Sequence, residues 1–412
     1  MKYRRIRIYA LIFLALFIFY FTGDFTIINI EKTALIVALG IDANDENGFT
    51  VTAQIAVPTA TDQGGGNNES VIVSSGETLY EAVERIGTQT GWYPKLSFCN
   101  VIVLGESALK ENALNYVDFF IRSYKVEDSA VLCAAEGSAK EVLLSKSPLD
   151  NVSSFALIKI LIRDSTTASS VYPVTIKDFT SGYYSRSRFG CMPYIKVVKT
   201  QDKPDDGSGG EASESASSGL SGSSSGSDGG GSDKTGSGGT VVFDASSLLL
   251  FDGGVTAGKF DQYQTLFYSL LHKGTTEAYF KVNSVDDDGN FGVFLIQITG
   301  SKCKKKLVFD GEKFVYKITL DLYLKTADSN DNQTISTISD LGRLNAETID
   351  TVEKYARGVY ESLFSAAKTA ATDVFNLKNE LYRFFPKKYE EHYAKIVSDV
   401  VPDITIKAHN FS

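Results

Sequence analysis

The first two dozen residues, MKYRRIRIYALIFLALFIFYFTGD, constrain this chain more than any other stretch. Lys2, Arg4, Arg5 and Arg7 precede an apolar run from Ile8 to Phe21, closed by Thr22, Gly23 and Asp24. A basic flank stays on the cytoplasmic side, so whatever follows such a run is exported. Cleavage by signal peptidase needs small residues in an A-x-A-like pattern, and Tyr20 and Phe21 crowd the only plausible cut near Gly23. The run falls short of the ~20 residues that span a bilayer comfortably. Ile6 below it and Phe25 to Ile28 above it extend it, with the arginines snorkelling. The expectation is therefore an uncleaved signal anchor over residues 1–24, with Ile8, Leu11, Phe13, Leu14, Phe17, Phe19 and Phe21 as its membrane-facing residues. No second apolar run of that length occurs.

The 412 residues have room for two or three domains, and 43% hydrophobic with 12% aromatic content is ample for packed cores. Setting aside the four basic residues of the flank leaves 37 basic against 50 acidic side chains, a net of −13. That balance argues against nucleic acid as a partner, because phosphate binding needs clustered positive charge. Cys99, Cys133, Cys191 and Cys303 lie far apart without a C-x-x-C pair, and outside the cytoplasm they could pair in any of three ways. Cys99 and Cys133 sit in apolar strand-like runs, where a buried small hydrophobe is the plainer role.

Four regions follow from composition and periodicity: the anchor, an N-terminal mixed α/β domain over 25–200, a Gly/Ser insert over 201–240, and a C-terminal α+β domain over 241–412. In the first domain, Thr33–Ala38 reads as a strand that turns at 39–42, and Phe49–Val57 returns as its hairpin partner. Gln63–Glu69 is a polar loop; its three glycines lack the Lys-Ser/Thr of a phosphate cradle. A strand from Val71 leads to a helix with Leu79, Ala82, Val83 and Ile86 on one face. Leu96–Leu104 reads as a strand and Glu106 as the start of a longer helix through Ile121. Ser129–Ala135 reads as a strand, and Ala139–Leu144 and Asn151–Ile162 as helices. Val171–Arg186 stays ambiguous, and Pro193–Val198 closes the domain as a strand. The insert holds 12 Gly and 12 Ser among 40 residues, too little apolar surface to offset its ordering entropy.

Beyond the insert, Val241 opens two short strands and a turn at Gly253 and Gly254, followed by a helix over Asp261–Leu271. In Phe314–Leu324 one face is apolar (Phe314, Tyr316, Ile318, Leu320, Leu322, Leu324) and the other polar, the pattern of an antiparallel sheet with one wet side. Asn345 caps a long helix over 345–375 whose apolar stripe matches that dry face. A second helix ends at Pro386, and Asp403–Asn410 ends the chain as a strand.

Little in the sequence points to catalysis. His272, His392 and His409 are isolated, without metal spacing. The one G-x-S-x-G (Gly222–Gly226) lies in the insert with no strand before it, and no S-D-N accompanies the scattered S-x-x-K. Asp286, Asp287 and Asp288 fit a hairpin turn better than a calcium loop, since Leu295 falls where the bidentate Glu belongs. Lys302, Lys304, Lys305 and Lys306 could touch anionic headgroups or an acidic partner loop, but a solvated strand end protected by lysine is the plainer reading. No metal, cofactor or catalytic residue is assigned.

Taken together, ALIVALGID (34–42), TVTAQIAVP, GETLYEAVERI (76–86), VIVLGESALKEN (101–112), FFIRSYKVEDSAVLCAAEGSAKEVL (119–143), MPYIKV (192–197) and LLLFDGGVTAGKFDQYQTLFYSLL resemble, in order, the spore-germination receptor C-subunit family, the GerAC-like or Ger(x)C proteins. The long helix from Asn345, with Asp373, Val374, Phe375 and Pro386, resembles the family's end. Gly105, Glu106 and Arg122 match family positions. The resemblance implies a non-enzymatic subunit on the outer face of the spore inner membrane, partnered by polytopic A-type and B-type receptor subunits. It departs at Asp24, where the family usually has a lipidated Cys, so that anchoring would fall to the helix. The alternative is a membrane-tethered module that binds a small solute or cell-wall fragment in an aromatic-lined pocket; a hydrolase rests only on scattered acids.

Overall fold

A computed structural model describes residues 9–17, 32–44, 48–56, 69–147, 150, 152–162, 171–199, 241–272, 277–285, 291–329 and 343–411. The Gly/Ser insert, the Gln63–Asn68 part of the polar loop and the Asp286–Asp288 turn lie outside them. Two sheets carry the fold, which is mixed α+β.

The first sheet begins with β1 (Thr33–Ala43) and β2 (Phe49–Ala56), the expected hairpin, and β3 (Glu69–Gly76) pairs antiparallel to β2. β1 runs on through Leu39–Asp42, because Gly40 to Asp42 stay in register with Thr52 to Thr50. Helix α2 (Leu79–Thr90) buries Leu79, Ala82, Val83 and Ile86, the four residues its periodicity selects. Thr78 caps its start, and Gly91, at φ 73°, ends it. The expected strand over 96–104 divides into β4 (Tyr93–Lys95) and β5 (Val101–Leu104), both parallel to β1. Between them a turn closes where the Cys99 N–H donates to Leu96 O at 2.9 Å.

The helix expected from Glu106 is likewise interrupted. A 3-10 turn at Ala108–Lys110 precedes α3 (Ala113–Tyr124), because Asn112 leaves the helix to accept the Leu114 N–H and donate to Gly253 O. Strand β6 (Val131–Ala135) pairs parallel to β5, and α4 (Ala139–Leu144) and α5 (Ser153–Leu161) follow. The ambiguous stretch resolves as α6 (Ile176–Tyr184), started by a capping box between Thr175 and Asp178. Strand β7 (Phe189–Lys199) is parallel to β6.

The sequence groups residues from 241 onward with the C-terminal half, but hydrogen bonding places their beginning elsewhere. One unbroken strand, β8 (Val241–Asp252), pairs antiparallel to β7, and β9 (Val255–Phe260) pairs with β8. The first sheet therefore reads β3-β2-β1-β5-β6-β7-β8-β9, with β4 beside the start of β1. After α7 (Gln262–His272), the second sheet is β10 (Ala278–Val285), β11 (Phe291–Phe309), β12 (Phe314–Ser329) and β13 (Val401–Asn410).

On β12 the six apolar residues of the expected dry face are all buried. Helix α8 (Ala346–Thr369) packs there through Val352, Ala356, Tyr360, Leu363, Phe364 and Ala367, started by the Asn345 cap as expected. Full burial of the Val, Leu and Phe side chains among them is worth about 1.5–3 kcal/mol each. The helix stops at Thr369 rather than at 375. Ala371 turns left-handed at φ 50°, and the Thr372 N–H reaches back to Ala367 O in a Schellman-type ending without glycine. The last strand is parallel, not antiparallel, to β12, because α8, α9 (Leu377–Phe384), α10 (Tyr389–His392) and α11 (Ile396–Asp399) carry the chain back along the sheet. The four lysines lie within β11, not at its end. β10 covers β11 only as far as Ile298, so they occupy an open edge where Glu380 accepts the Leu307 N–H.

One apolar core runs from Ile36 and Val83 under the first sheet to Tyr316 and Leu363 under the second. A smaller core lies on the other face of the first sheet beneath α4 and α5. All four cysteines are free; Cys99, Cys133 and Cys191 are buried and Cys303 is half-buried.

Candidate functional site

Residues 9–17 form a short helix, α1, in which Leu11, Phe13, Leu14 and Phe17 are more than half exposed to solvent. Ile8, Phe19, Phe21 and Asp24 lie outside the described residues. Among the described residues no helix is long and apolar enough to cross a membrane.

Three motif segments that look unrelated along the chain meet at the carboxyl ends of β1, β5 and β6. Asp42, the last residue but one of β1, is almost buried. Its Oδ1 accepts the Ala139 N–H at 2.9 Å, while Oδ2 accepts the Ser138 hydroxyl at 2.9 Å and the Lys140 N–H at 3.0 Å. The start of α4 is thus capped by a residue 96 positions earlier. Gly40 lets α4 approach, since a Cβ there would already crowd Leu143 and Ala139 at 3.0–3.1 Å. Glu106 braces the third segment: its N–H donates to Gly137 O at 2.8 Å, and its Oε2 accepts the Gly137 N–H at 3.2 Å. Ser107 Oγ accepts the Ala43 N–H at 2.9 Å. An open depression of about 450 Å³ above them is lined by Asp42, Glu106, Ser107, Lys110 and Ser138.

The N–H groups of Ala43, Gly137, Ala139 and Lys140 are each answered by a side chain of a neighbouring segment. The chemistry is that of a latch. The residues were legible one by one, Asp42 as a turn residue and Gly105–Glu106 as a family match, but their convergence was not. Arg122 stays apart on α3, in an exposed pair with Asp118 at 2.8 Å.

A second concavity, about 340 Å³, opens where α6 and β7 meet α7 and the turn after α8. Its aromatic wall is Tyr172, Phe179, Phe189 and Tyr268, with Tyr172 edge-on to Tyr268 at 5.2 Å and His272 against Tyr268 at 4.6 Å. Its polar wall joins the two halves of the chain. Ser187 Oγ donates to Asn376 Oδ1, Asn379 Nδ2 donates to Ser187 Oγ at 3.3 Å, and the Arg186 N–H donates to Asn379 Oδ1 at 3.3 Å. Asn376 adopts φ 60°, a conformation Asn tolerates better than most residues. Burial pushes the Cys191 thiol and the Tyr268 hydroxyl far up, so both stay neutral. Beside the pocket, Asp373 is 1% exposed and caps α9 by accepting the Leu377 and Lys378 N–H groups at 2.7 and 2.8 Å. Burial outweighs those bonds and raises its carboxyl to about 6.

Among the described residues no group of three or more His, Cys, Asp or Glu is placed to hold a metal. His409 lies on β13, 4.0 Å from Asp321, His392 ends α10 against Phe314, and His272 ends α7.

The comparisons with known proteins agree with the order of these segments. Residues 27–197 match the family described as "Spore germination protein N-terminal domain", and residues 246–409 match "Spore germination B3/ GerAC like, C-terminal". A curated relative, spore germination protein B3 of Bacillus subtilis (strain 168), is 26% identical over 398 residues, covering 94% of each chain. The crystal structure of the GerBC protein aligns with 91% of this chain and 97% of its own, at 17% identity and a TM-score of 0.49.

Proposed function

Since the chain belongs to the GerAC-like family of spore germination proteins, we propose that it is a non-enzymatic subunit of a germinant receptor, anchored by its N-terminal helix outside the cytoplasm. It works by assembly and signal coupling with polytopic A-type and B-type subunits at the spore inner membrane. The observation that carries this reading is the family match on both sides of the insert, over residues 27–197 and 246–409 in the family's own order. The mechanical continuity between those two regions supports a coupling role. Strands β8 and β9, from the second region, complete the sheet of the first, and the Ala113 N–H donates to Gly254 O at 2.8 Å across the seam. A load on the first sheet is therefore passed to the second through the one apolar core that they share.

Affinity isolation of the full-length protein from detergent-solubilised membranes of sporulating cells tests it. Two polytopic proteins in fixed proportion are expected, together with loss of nutrient-triggered germination in the deletion strain. A protein that comes down alone at every detergent strength, or a deletion strain that germinates normally on nutrients, overturns it.

The seam pocket favours a second reading, capture of a small neutral or polar solute between Tyr172, Tyr268 and the Ser187–Asn376–Asn379 wall. A solute that raises the thermal midpoint dose-dependently, with the effect abolished by Tyr268→Ala, would carry it.

A further inference from the structure

One corner of the first sheet differs in chemistry from the rest of the acidic surface. From Ile86 to Gly105 the chain has no Asp or Glu, and within that stretch Trp92, Tyr93 and Phe98 are 40%, 60% and 54% exposed. Lys95 is exposed among them, as is Lys32 at the mouth of β1. We propose that this corner rests in the headgroup layer of the membrane, so that the first sheet stands on the bilayer by the amino-terminal ends of β1 and β4. The inference deepens the anchored-subunit reading and rests on its N-terminal helix.

Register places the corner at the start of β1, the first described strand. Thr33, the first residue of β1, is the direct partner of Tyr93, and Leu35 of Lys95. Adjacent strands lie about 4.8 Å apart, so Tyr93 sits one strand spacing from Thr33, the first residue of β1. In the sequence Asn29, Ile30 and Glu31 separate Ile28 from Lys32, four Cα steps that reach at most about 14 Å.

The corner is also held rigid. Gly91 in its left-handed conformation turns the chain out of α2, and the Trp92 N–H donates to Thr90 Oγ1 at 3.2 Å. Leu96 and Cys99 are buried on either side of Phe98, and the Asn100 N–H donates to Val37 O at 2.9 Å, so the turn projects Phe98 outward. Amphipathic Trp and Tyr rings favour the lipid–water boundary, and lysines beside them favour anionic headgroups. Glu69, which begins β3, and Glu127 and Asp128, just before β6, lie towards the same end of the sheet but two strands from β1 on either side. They tip the molecule onto the β1–β4 corner and lift β6 clear.

Trp92 is the only tryptophan in the chain, so its fluorescence reports this corner alone. The full-length protein is reconstituted into phosphatidylcholine–phosphatidylglycerol vesicles, floated on a density gradient, and measured with lipids brominated near the headgroup or near the bilayer centre. Expected is a co-floating protein whose emission is lost most to the shallow bromines and is protected from aqueous acrylamide. The Tyr93→Ser/Phe98→Ser variant changes two exposed side chains and is expected to float equally but lose that protection. Co-floating wild-type protein that acrylamide quenches freely and bromines do not touch overturns the inference while leaving the anchor standing. Protein that does not float overturns both.

Discussion

Asp42 and Gly105 are fitted so closely that a Cβ on Gly105 would stand 1.8 Å from Asp42 Oδ1. The glycine is there for the carboxylate, and the carboxylate for the start of α4. Gly105→Ala is therefore expected to push Asp42 off the Ala139 and Lys140 N–H groups and cost about 2–3 kcal/mol in denaturant unfolding of the full-length protein. Asp42→Ala should cost a similar amount. In the double variant the two costs should fall well short of additive, because both break the same latch. Full additivity would refute the shared mechanism.

Asp373 makes the second half of the chain sensitive to pH. Its folded-state carboxyl lies near 6 against an ordinary value of 3.8, so the folded protein holds a proton there that the unfolded chain has released. Stability from this group is present below about pH 4 and is lost as pH rises through about 6, a change on the order of 3 kcal/mol. Burial also raises the nearby Glu380 carboxyl, so the comparison must be made against a variant. The stability difference between wild type and Asp373→Asn should grow more unfavourable to wild type from pH 4 to pH 7. Parallel pH profiles would remove Asp373 as the cause.

Tyr316 has its ring wholly buried between β12 and α8, at 6.2 Å from Phe364, and its hydroxyl has no partner among the described residues. An unanswered buried hydroxyl costs about 1–3 kcal/mol, and Phe keeps the ring contacts. Tyr316→Phe should raise the thermal midpoint. A clear fall in the midpoint would mean that the hydroxyl is used.

Burial lifts the Cys99 and Cys133 thiols to about 12 and Cys191 higher still. The thiolate is the reactive form, so these three should not react with a chromogenic disulfide reagent in the native protein at pH 8. At most one slow equivalent, from half-buried Cys303, is expected before denaturation and four after it. Three or more fast native equivalents would contradict the packing of β5, β6 and β7.

What the sequence determined alone is what neighbouring residues decide between themselves. The stripe of α2, the dry face of β12, the β1–β2 hairpin and the Asn345 cap were all legible, because helix and strand periods and cap chemistry act over a few residues. The family was legible too, since its segments keep their order. Only the tertiary structure decided where local signals ran out or conflicted. Nothing in VVFDASSLLLFDGG tells β8 to prefer β7 to its own half, and no glycine marks the end of α8 at Thr369. The latch unites Asp42, Gly105 and Ser138, whose meeting depends on three strands lying side by side. Such contacts form only after the chain has closed long loops, and their energy depends on a geometry that no short window of sequence contains.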